Sequence, residues 1–374
     1  MLVNGKHYIT IWTEKNNPGI IYTIDQNLLP HKFKIVKLKS SSDIISAIKD
    51  MTVRGAPLIG VTAAYGIFLT AKESFERNLK AGSFNDYIFY KSELIKATRP
   101  TAVNLFNAVN NSIVQINKQK SEAKKVEAAF IYACFLSDYE INSCYKIGEY
   151  GLSILRKFLK NKKNKTINIL THCNAGWLGC IDYGTATAPV YLAKKEKINL
   201  HVWVEETRPR NQGASLTAWE LMQNDIDCTV ITDNAGGYVM QKGMVDLVIV
   251  GSDRTTLYGD VCNKIGTYKT ALAASDNGIP FYTALPITSF DYKLKNGLKE
   301  IPIEERNDDE ISYVRGLYEG KIINARITPA KCKVKNFSFD ITPAKLVTAL
   351  ITDRGIIKPN AGNIKKLISR HPAL

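Results

Sequence analysis

The chain has 374 residues, of which 45% are hydrophobic and 23% charged, and its formal net charge is +15. This length favours two domains, because a single hydrophobic core stops growing at roughly 250–300 residues. No apolar run approaches the roughly 18 residues that cross a bilayer, and the start of the chain lacks the pattern of a signal peptide, so we expect a cytoplasmic protein without a membrane partner.

The first 155 residues predict a mainly α-helical domain with a small β start. Two β-prone segments, YITIW and GIIYTI, come first. Apolar residues then recur at helical spacing, first in SSDIISAIKDM, where Ser42 is the predicted N-cap. The same spacing continues in LIGVTAAYGIFLTAKES, TAVNLFNAVNNSIVQI and AKKVEAAFIYACFLSDYEINSCYKIGEYGLSIL.

From residue 166 to residue 374 the pattern changes to strand, short loop and helix, repeated. The predicted strands are TINILTHC, NLHVWVEET, DCTVITD, MVDLVIVGSD and PFYTALP. Apolar strands that alternate with helices are typical of a parallel sheet covered on both faces. The sequence therefore predicts an α/β fold whose C-terminal domain is a Rossmann-like, doubly wound parallel sheet. The loop CNAGWLGC lacks the G-x-G-x-x-G pattern and no Walker A motif occurs, so neither NAD nor ATP is expected.

Charge and cysteine content restrict the partners. The seven cysteines have no C-x-x-C pair and the five histidines are scattered, which predicts neither a disulfide framework nor a metal site. The positive charge is compatible with nucleic acid, an anionic membrane or small phosphorylated substrates. Its densest run, residues 156–165, precedes the first strong strand, where a solvated linker is expected. No nucleic-acid-binding motif accompanies this run, so we expect no nucleic-acid partner.

Polar residues follow the predicted parallel strands, at the end where open sheets of this class bind ligands. Cys173 ends the first strand and is a candidate reactive thiolate. Its neighbour His172 is not expected to act as its base, because successive strand residues point to opposite faces. Asp253 ends an apolar strand, where burial raises the pKa of a carboxyl group and suits a general acid. A helix N-cap or a salt bridge to Arg254 explains Asp253 equally well.

Several segments carry groups suited to an anion. Arg54 precedes a Gly-Ala-Pro turn at a predicted helix start, and Arg99 stands in the same relation to Pro100. Further basic and amide side chains occur in the loops after the strands, namely Arg208, Arg210, Gln212, Asn263 and Lys264. Basic groups for a phosphate and amides for hydroxyls together favour a phosphorylated sugar.

These segments together resemble one known family. The motifs are IKDMTVRGAPLIGVTAAYG, RPTAVN, THCNAG, ETRPRNQGASLTAWEL, ITDNAG, VIVGSDR, GDVCNKIGTY and FDITPAKLVTALIT, and they resemble methylthioribose-1-phosphate isomerase. This family is related to ribose-1,5-bisphosphate isomerases and to regulatory subunits of the translation-initiation nucleotide exchange factor. The resemblance implies a homodimer without a cofactor or metal. By matching motif, it implies catalytic Cys173 and Asp253 and substrate-binding Arg54, Gly55, Ala56, Arg99, Gln212, Asn263 and Lys264.

The implied activity converts 5-methylthioribose 1-phosphate to 5-methylthioribulose 1-phosphate in methionine salvage. Asp253 would be the acid and Cys173 the base of an enol route, and a hydride shift is the competing route. Two loops depart from the family pattern, at residues 177–180 and 235–237. If they line the pocket, 5-deoxyribose 1-phosphate or ribose 1,5-bisphosphate is an alternative substrate. A regulatory, non-enzymatic binding protein is the other alternative.

Overall fold

The computed structural model describes residues 1–77, 81–99, 102–161 and 166–370. Pro100 of the predicted arginine–proline motif lies outside the described residues, as do residues 162–165 of the basic run. No helix in the described ranges is long and apolar enough to cross a membrane.

The described helices are α1 (Ser41–Lys49), α2 (Ala56–Glu76), α3 (Ala81–Ala97), α4 (Val103–Asn117), α5 (Glu122–Asn161), α6 (Ala188–Lys195), α7 (Ala218–Met222), α8 (Ala235–Gln241), α9 (Thr267–Asp276), α10 (Gly297–Glu300), α11 (Asp309–Ser312) and α12 (Ala361–Arg370). The described strands are β1 (Leu2–Val3), β2 (Lys6–His7), β3 (Ile11–Glu14), β4 (Asn17–Ile24), β5 (Ile35–Leu38), β6 (Thr166–His172), β7 (Asn199–Glu205), β8 (Cys228–Ile231), β9 (Leu247–Val250), β10 (Arg254–Thr256), β11 (Val261–Lys264), β12 (Phe281–Ala284), β13 (Phe290–Asp291), β14 (Tyr313–Tyr318), β15 (Lys321–Arg326), β16 (Phe339–Thr342), β17 (Ala349–Thr352) and β18 (Gly355–Ile357).

The N-terminal half packs four helices and a small antiparallel sheet, β3–β4–β5, around the central helix α2. The apolar residues of α2 occur on all of its faces, which is typical of a buried helix, and nearly all of its side chains are buried. Helix α3, which we did not predict, adds only a narrow apolar stripe, with Phe84, Ile88 and Ile95 buried. The predicted domain with a small β start and helices therefore has one more helix than the sequence pattern indicated.

The predicted N-cap of α1 is wrong by two residues. Ser40, and not Ser42, caps this helix, because its hydroxyl accepts from the Asp43 N–H at 3.1 Å. The Asp43 carboxylate in turn accepts from the Ser40 N–H at 3.0 Å. This reciprocal capping box needs an acidic or amide side chain three residues after the cap, and only Ser40 has Asp43 at that distance.

The C-terminal half is built on a sheet of seven described strands in the order β18-β17-β12-β9-β6-β7-β8. All neighbours are parallel except β18, which is antiparallel to β17. The α/β fold class with a Rossmann-like sheet is therefore confirmed. The first strand of this half, β6, lies between β7 and β9, so the strand order reverses beside it. In doubly wound sheets this reversal opens a crevice at the carboxyl ends of the strands.

A second sheet, β13-β10-β11-β16, lies beyond the carboxyl end of β9. Its strand β10 begins directly after Asp253, and β11 carries Asn263 and Lys264. Strand β16 pairs with β11 and sets Phe339 opposite Lys264. The sequence pattern predicted neither this sheet nor the β14–β15 hairpin. Together with the ends of β6 and β9, the small sheet encloses the crevice.

The long helix α5 connects the two halves. It packs against α2 and α4 at one end and against α6 and β17 at the other. The apolar cores lie around α2 and on the two faces of the main sheet. A domain division between residues 155 and 166 stays a prediction.

Candidate active site

Cys173 lies at the carboxyl end of β6 in a strained backbone conformation. Its φ is 66°, and that of Thr207, which follows β7, is 67°. Non-glycine residues adopt this left-handed region rarely, and they persist there when surrounding contacts hold them. The Cys173 N–H donates to the Thr207 hydroxyl at 2.8 Å, and the Cys173 carbonyl accepts from the Thr217 hydroxyl at 2.7 Å. Two side chains therefore fix the backbone that presents the thiol.

The residues predicted from the sequence line one cavity at this end of the sheet. These are Arg54, Gly55, Ala56, Arg99, Cys173, Gln212, Asp253, Asn263 and Lys264. The cavity is bounded by the ends of β6 and β9, the first turn of α2 and the small sheet. The structure thus brings together residues as far apart in the chain as Arg54 and Lys264.

Asp253 faces this cavity without either of its alternative structural partners. Arg254 pairs instead with Asp291, with N–O distances of 2.6 and 3.0 Å. The residues after Asp253 form strand β10 and not a helix, so Asp253 is not a helix cap. Burial raises the pKa of the Asp253 carboxyl group, and the positive charges of Lys264, Arg99 and Arg54 only partly oppose it. The group therefore holds its proton to a higher pH than an exposed aspartate.

The Cys173 thiol is buried and its pKa is raised. Burial is the main cause, and it outweighs the opposing charges of Arg54 and Lys264. The expected thiolate is therefore not the favoured state of the unliganded site, because water has been removed from around the sulfur.

Arg54 and the first turn of α2 form the cationic end of the cavity. The Arg54 guanidinium donates to the side-chain oxygen of Asn174 and, at 2.6 Å, to its backbone carbonyl. Gly55 has φ 94°, and a Cβ at this position would lie 2.2 Å from the Gly179 carbonyl oxygen. Only glycine lets the backbone pass this closely. The backbone at the start of α2, from Gly55 to Pro57, therefore lines the cavity beside Arg54.

Among the described residues that line the cavity, two fully buried side-chain atoms have no hydrogen-bond partner, namely Arg99 Nη1 and Gln212 Oε1. The Arg99 Nε atom donates to Glu304 at 3.3 Å, which orients the guanidinium. Lys264 Nζ lies 4.7 Å from the centre of the Phe339 ring, and burial lowers the pKa of this amine. A buried polar atom without a partner is costly, so these atoms are suited to a polar ligand.

The structure also shows which candidate residues from the sequence have structural partners instead of facing a ligand. Arg208 donates to the Ile311 carbonyl at 2.8 Å, and Arg210 pairs with Glu310 at 3.0 Å, so neither lines the cavity. His172 has the satisfied position that the sequence predicted. Its Nδ1 lies 2.6 Å from Glu205 Oε2 and its Nε2 2.8 Å from the Ile265 carbonyl, so both ring nitrogens have hydrogen-bond partners other than Cys173.

Sequence reasoning missed the side chains that support the site from behind. Asn174 holds Arg54, Thr207 holds Cys173, and Glu220 holds the loop that contains Asn174. Asn174 and Glu220 stand within the quoted motifs THCNAG and LTAWEL, which was the only available signal. Their roles depend on contacts between distant segments and carry no local pattern.

The two departing loops behave differently. In the first, Gly179 and Cys180 line the cavity, whereas Trp177 is fully buried behind it. The second loop begins α8 and does not reach the cavity. Gly236 is required there, because an added Cβ would lie 2.2 Å from Glu205 Oε1. The second departure therefore concerns packing around the His172–Glu205 pair and not the ligand.

Comparisons with known proteins identify the family of this chain. A sequence model of the initiation factor 2 subunit family matches residues 52–359. The methylthioribose-1-phosphate isomerase of Desulfatibacillum aliphaticivorans is 48% identical to this chain and covers 98% of both chains. The chain belongs to the methylthioribose-1-phosphate isomerase family. The resemblance seen in the sequence motifs is thereby confirmed.

Two solved structures extend the comparison. The 5-methylthioribose 1-phosphate isomerase of Pyrococcus horikoshii has a TM-score of 0.83 and 38% identity, covering 98% of this chain and 97% of its own. A structure described as subunit delta of translation initiation factor eIF-2B from A. fulgidus has a TM-score of 0.78 and 37% identity, with 97% and 100% covered. Methylthioribose-1-phosphate isomerases therefore share their fold with a protein named as a translation factor.

Proposed function

We propose that this protein isomerises 5-methylthioribose 1-phosphate to 5-methylthioribulose 1-phosphate, a step of methionine salvage. The observation that carries the proposal is the placement of Cys173 and Asp253. They follow adjacent strands, β6 and β9, where the strand order reverses, and both line a cavity that contains Arg54, Arg99 and Lys264. A regulatory binding protein has no need of this thiol and carboxyl pair, which supports the enzyme over that alternative.

The phosphate is proposed to bind at the cationic end of the cavity. Arg54 and the N–H groups at the start of α2 supply charge and hydrogen-bond donors. The free Arg99 Nη1 and the free Gln212 Oε1 can pair with phosphate and hydroxyl oxygens respectively. Asn263, whose amide donates to the Thr267 hydroxyl at 3.0 Å, presents its remaining amide groups to the sugar.

Ring opening is proposed as the first chemical step. The phosphate blocks the anomeric hydroxyl, so the ring cannot open without help. Asp253 gives its proton to the ring oxygen as the bond between that oxygen and C1 breaks. The burial that raises the pKa of Asp253 keeps this proton available to a higher pH than on an exposed aspartate. The buried walls of the cavity also exclude water that would compete for the proton.

Two routes lead from the open sugar to the ketose. In the enol route Cys173 removes the C2 proton and a proton is then added at C1. In the hydride route the C2 hydrogen moves with its electron pair to the electron-deficient C1, and Cys173 shapes the site. In both routes the C2 hydroxyl loses its proton as the ketone forms, and the Asp253 carboxylate left by ring opening accepts it. Burial of the thiol opposes the enol route in the unliganded protein, because the raised pKa leaves little thiolate. The cations Arg54 and Lys264 oppose that effect.

The lining of the cavity supports an apolar group at sugar C5. Met51, Pro57, Ile59, Ala102 and Ile301 contribute apolar side chains to it. A second phosphate at C5 would be poorly solvated there. Methylthio and 5-deoxy sugars are therefore favoured over ribose 1,5-bisphosphate. We further propose that the active form is a cytoplasmic homodimer, as the family resemblance implies, and that it needs no cofactor.

An assay of the purified protein with three substrates tests this function. Ketose formation is followed with methylthioribose 1-phosphate, 5-deoxyribose 1-phosphate and ribose 1,5-bisphosphate, without added metal or nucleotide. We expect turnover of the first compound, and a loss of about 10²–10⁴-fold in kcat when Asp253→Asn removes the acid. No turnover of any of the three would leave the regulatory alternative.

Isotope labelling separates the two routes. In heavy water an enol intermediate takes up deuterium at C1 of the product, whereas a hydride shift does not. The matched experiment uses substrate deuterated at C2 in ordinary water. Complete transfer of that deuterium to C1 would exclude Cys173 as the base, and Cys173→Ser would then lower the rate only through the shape and polarity of the site.

A further inference from the structure

A buried glutamate lies directly behind the cavity without lining it. Glu220 is fully buried on α7 and accepts four hydrogen bonds from the loop that follows Cys173 and from α6. Its Oε1 accepts from Asn174 Nδ2 at 3.0 Å and from the Leu178 N–H at 2.8 Å. Its Oε2 accepts from the Trp177 N–H at 3.2 Å and from the Tyr191 hydroxyl at 3.1 Å. The carboxylate therefore uses both oxygens to hold one loop.

That loop fits around the carboxylate without spare room. A Cβ on Gly176 would lie 1.7 Å from Glu220 Oε2. The loop therefore cannot shift towards α7, and its conformation depends on the hydrogen bonds that Glu220 accepts.

The contact continues from Glu220 to the cationic end of the cavity. Asn174 donates to Glu220 through its side-chain nitrogen and accepts from Arg54 through its side-chain and backbone oxygens. Asn174 is thereby fixed in one amide orientation, with its oxygen towards Arg54. Among the described residues, Asn174 is the only hydrogen-bond partner of the Arg54 guanidinium. Asn174 therefore fixes the position of this guanidinium in the cavity.

We propose that Glu220 is a positioning residue, which holds Arg54 for the phosphate through Asn174 and releases it when its carboxylate gains a proton. A carboxylate accepts all four bonds with its charge. A protonated carboxyl group points its O–H at the Tyr191 hydroxyl, which then accepts, and the bonds from Asn174, Leu178 and Trp177 lose their charge assistance and weaken. This inference rests on the proposed function in so far as Arg54 binds the phosphate of the substrate.

The change occurs in the neutral pH range. Burial raises the pKa of Glu220 to about 7, against the hydrogen bonds from Asn174, Leu178 and Tyr191 and the charge of Arg54. The other ionisable group that faces it is the N-terminal ammonium of Met1, which is paired with Asp182. Since the folded pKa is raised, the anionic form that holds the loop is present above about pH 7 and is lost as the pH falls.

The test compares KM values of wild type and Glu220→Gln between pH 6 and 8. Glutamine has the shape of the protonated acid and does not titrate. Ionisation of the substrate, of Asp253 and of Cys173 is common to both proteins and cancels in the ratio of their KM values. We expect the KM of Glu220→Gln to be about ten times that of wild type at pH 8, which is the effect of one charge-assisted hydrogen bond. This ratio should fall towards one at pH 6. The kcat should change much less than KM.

Glu140→Gln is the matched control. Glu140 is also a buried glutamate, with its pKa raised by burial to about 8, but it accepts from the Thr288 hydroxyl at 3.0 Å and lines a different cavity. Its KM ratio to wild type should stay near one at each pH. If Glu220→Gln does not fold, Tyr191→Phe replaces it. Loss of this donor should move the midpoint of the KM profile to higher pH, because the Tyr191 bond lowers the pKa of Glu220.

Calorimetric titration with inorganic phosphate separates this inference from the proposed reaction. The ratio of the phosphate dissociation constant of Glu220→Gln to that of wild type should depend on pH in the same way as the KM ratio. This result is expected even if the sugar is not turned over. If the sugar is turned over but the KM ratio and the phosphate ratio do not change with pH, the proposed positioning role of Glu220 is wrong. An equal loss of kcat at every pH would do the same, because it would indicate general damage to the fold.

Discussion

Replacing His172 by leucine is expected to destabilise the protein by about 3–5 kcal/mol, the usual cost of removing one partner of a buried ion pair. His172 and Glu205 have fully buried side chains, and their Nδ1 and Oε2 atoms are 2.6 Å apart. The change leaves the Glu205 carboxylate with the Thr270 hydroxyl at 2.8 Å and with Lys269 Nζ at 3.6 Å. It also removes the donor to the Ile265 carbonyl, which lies beside the segment that carries Lys264.

The magnitude is checked with a double variant. His172→Leu with Glu205→Gln removes the buried charge as well as its partner. The double variant should therefore lose less stability than the sum of the losses of the two single variants. The difference should be about 1 kcal/mol or more, because couplings between residues in contact are ~0.5–3 kcal/mol. Guanidinium unfolding of the four proteins at one pH gives this comparison.

The pair also predicts how stability depends on pH. Burial lowers the pKa of His172, but the hydrogen bond and charge of Glu205 outweigh it, and the net pKa is above the ordinary value of 6.5. The stabilisation is therefore complete below pH 6.5 and is lost as the pH rises through the folded pKa. The free energy of unfolding of wild type should exceed that of the double variant most near pH 6. This difference should shrink as the pH rises towards 9.

Two results would refute this reasoning. One is a wild type no more stable than His172→Leu near pH 6, and the other is a margin over the double variant that grows with pH. The control is His31→Gln, which changes an exposed histidine and should alter stability by less than ~0.5 kcal/mol.

Two further changes test the packing and the electrostatics. Gly236→Ala should destabilise the protein by ~1–3 kcal/mol because its Cβ would lie 2.2 Å from Glu205 Oε1. Gly237→Ala should stabilise the protein slightly, because the atom nearest to its Cβ would be 3.7 Å away. Equal melting temperatures for the two variants would contradict this expectation. Lys264→Met should raise KM and, because Lys264 lowers the pKa of Asp253, move the alkaline limb of the kcat/KM profile to higher pH. An alkaline limb that stays in place would exclude Asp253 as the acid governing it.

Local sequence patterns predicted most of the secondary structure. The five predicted strands correspond to β6, β7, β8, β9 and β12, and the apolar segment before residue 75 is the buried helix α2. This succeeds because the periods of strands and helices are recorded in neighbouring residues. Strand β17 was missed because the segment between it and β12 contains β13 and β16 of the small sheet and the β14–β15 hairpin, which interrupt the alternation of strands and helices.

The motifs by themselves predicted which side chains are candidates for the chemistry, including Cys173, Asp253 and Arg54. Only the tertiary structure decided that Arg208 and Arg210 turn away from the cavity and that Asn174 and Glu220 support it from behind. It also decided the ionisation of the thiol, whose pKa is raised by burial. The physical reason is that strand order, burial and the partners of a charge depend on segments far apart in the chain. A local pattern records the residue types and their spacing, but the energy of a buried charge depends on what surrounds it in space.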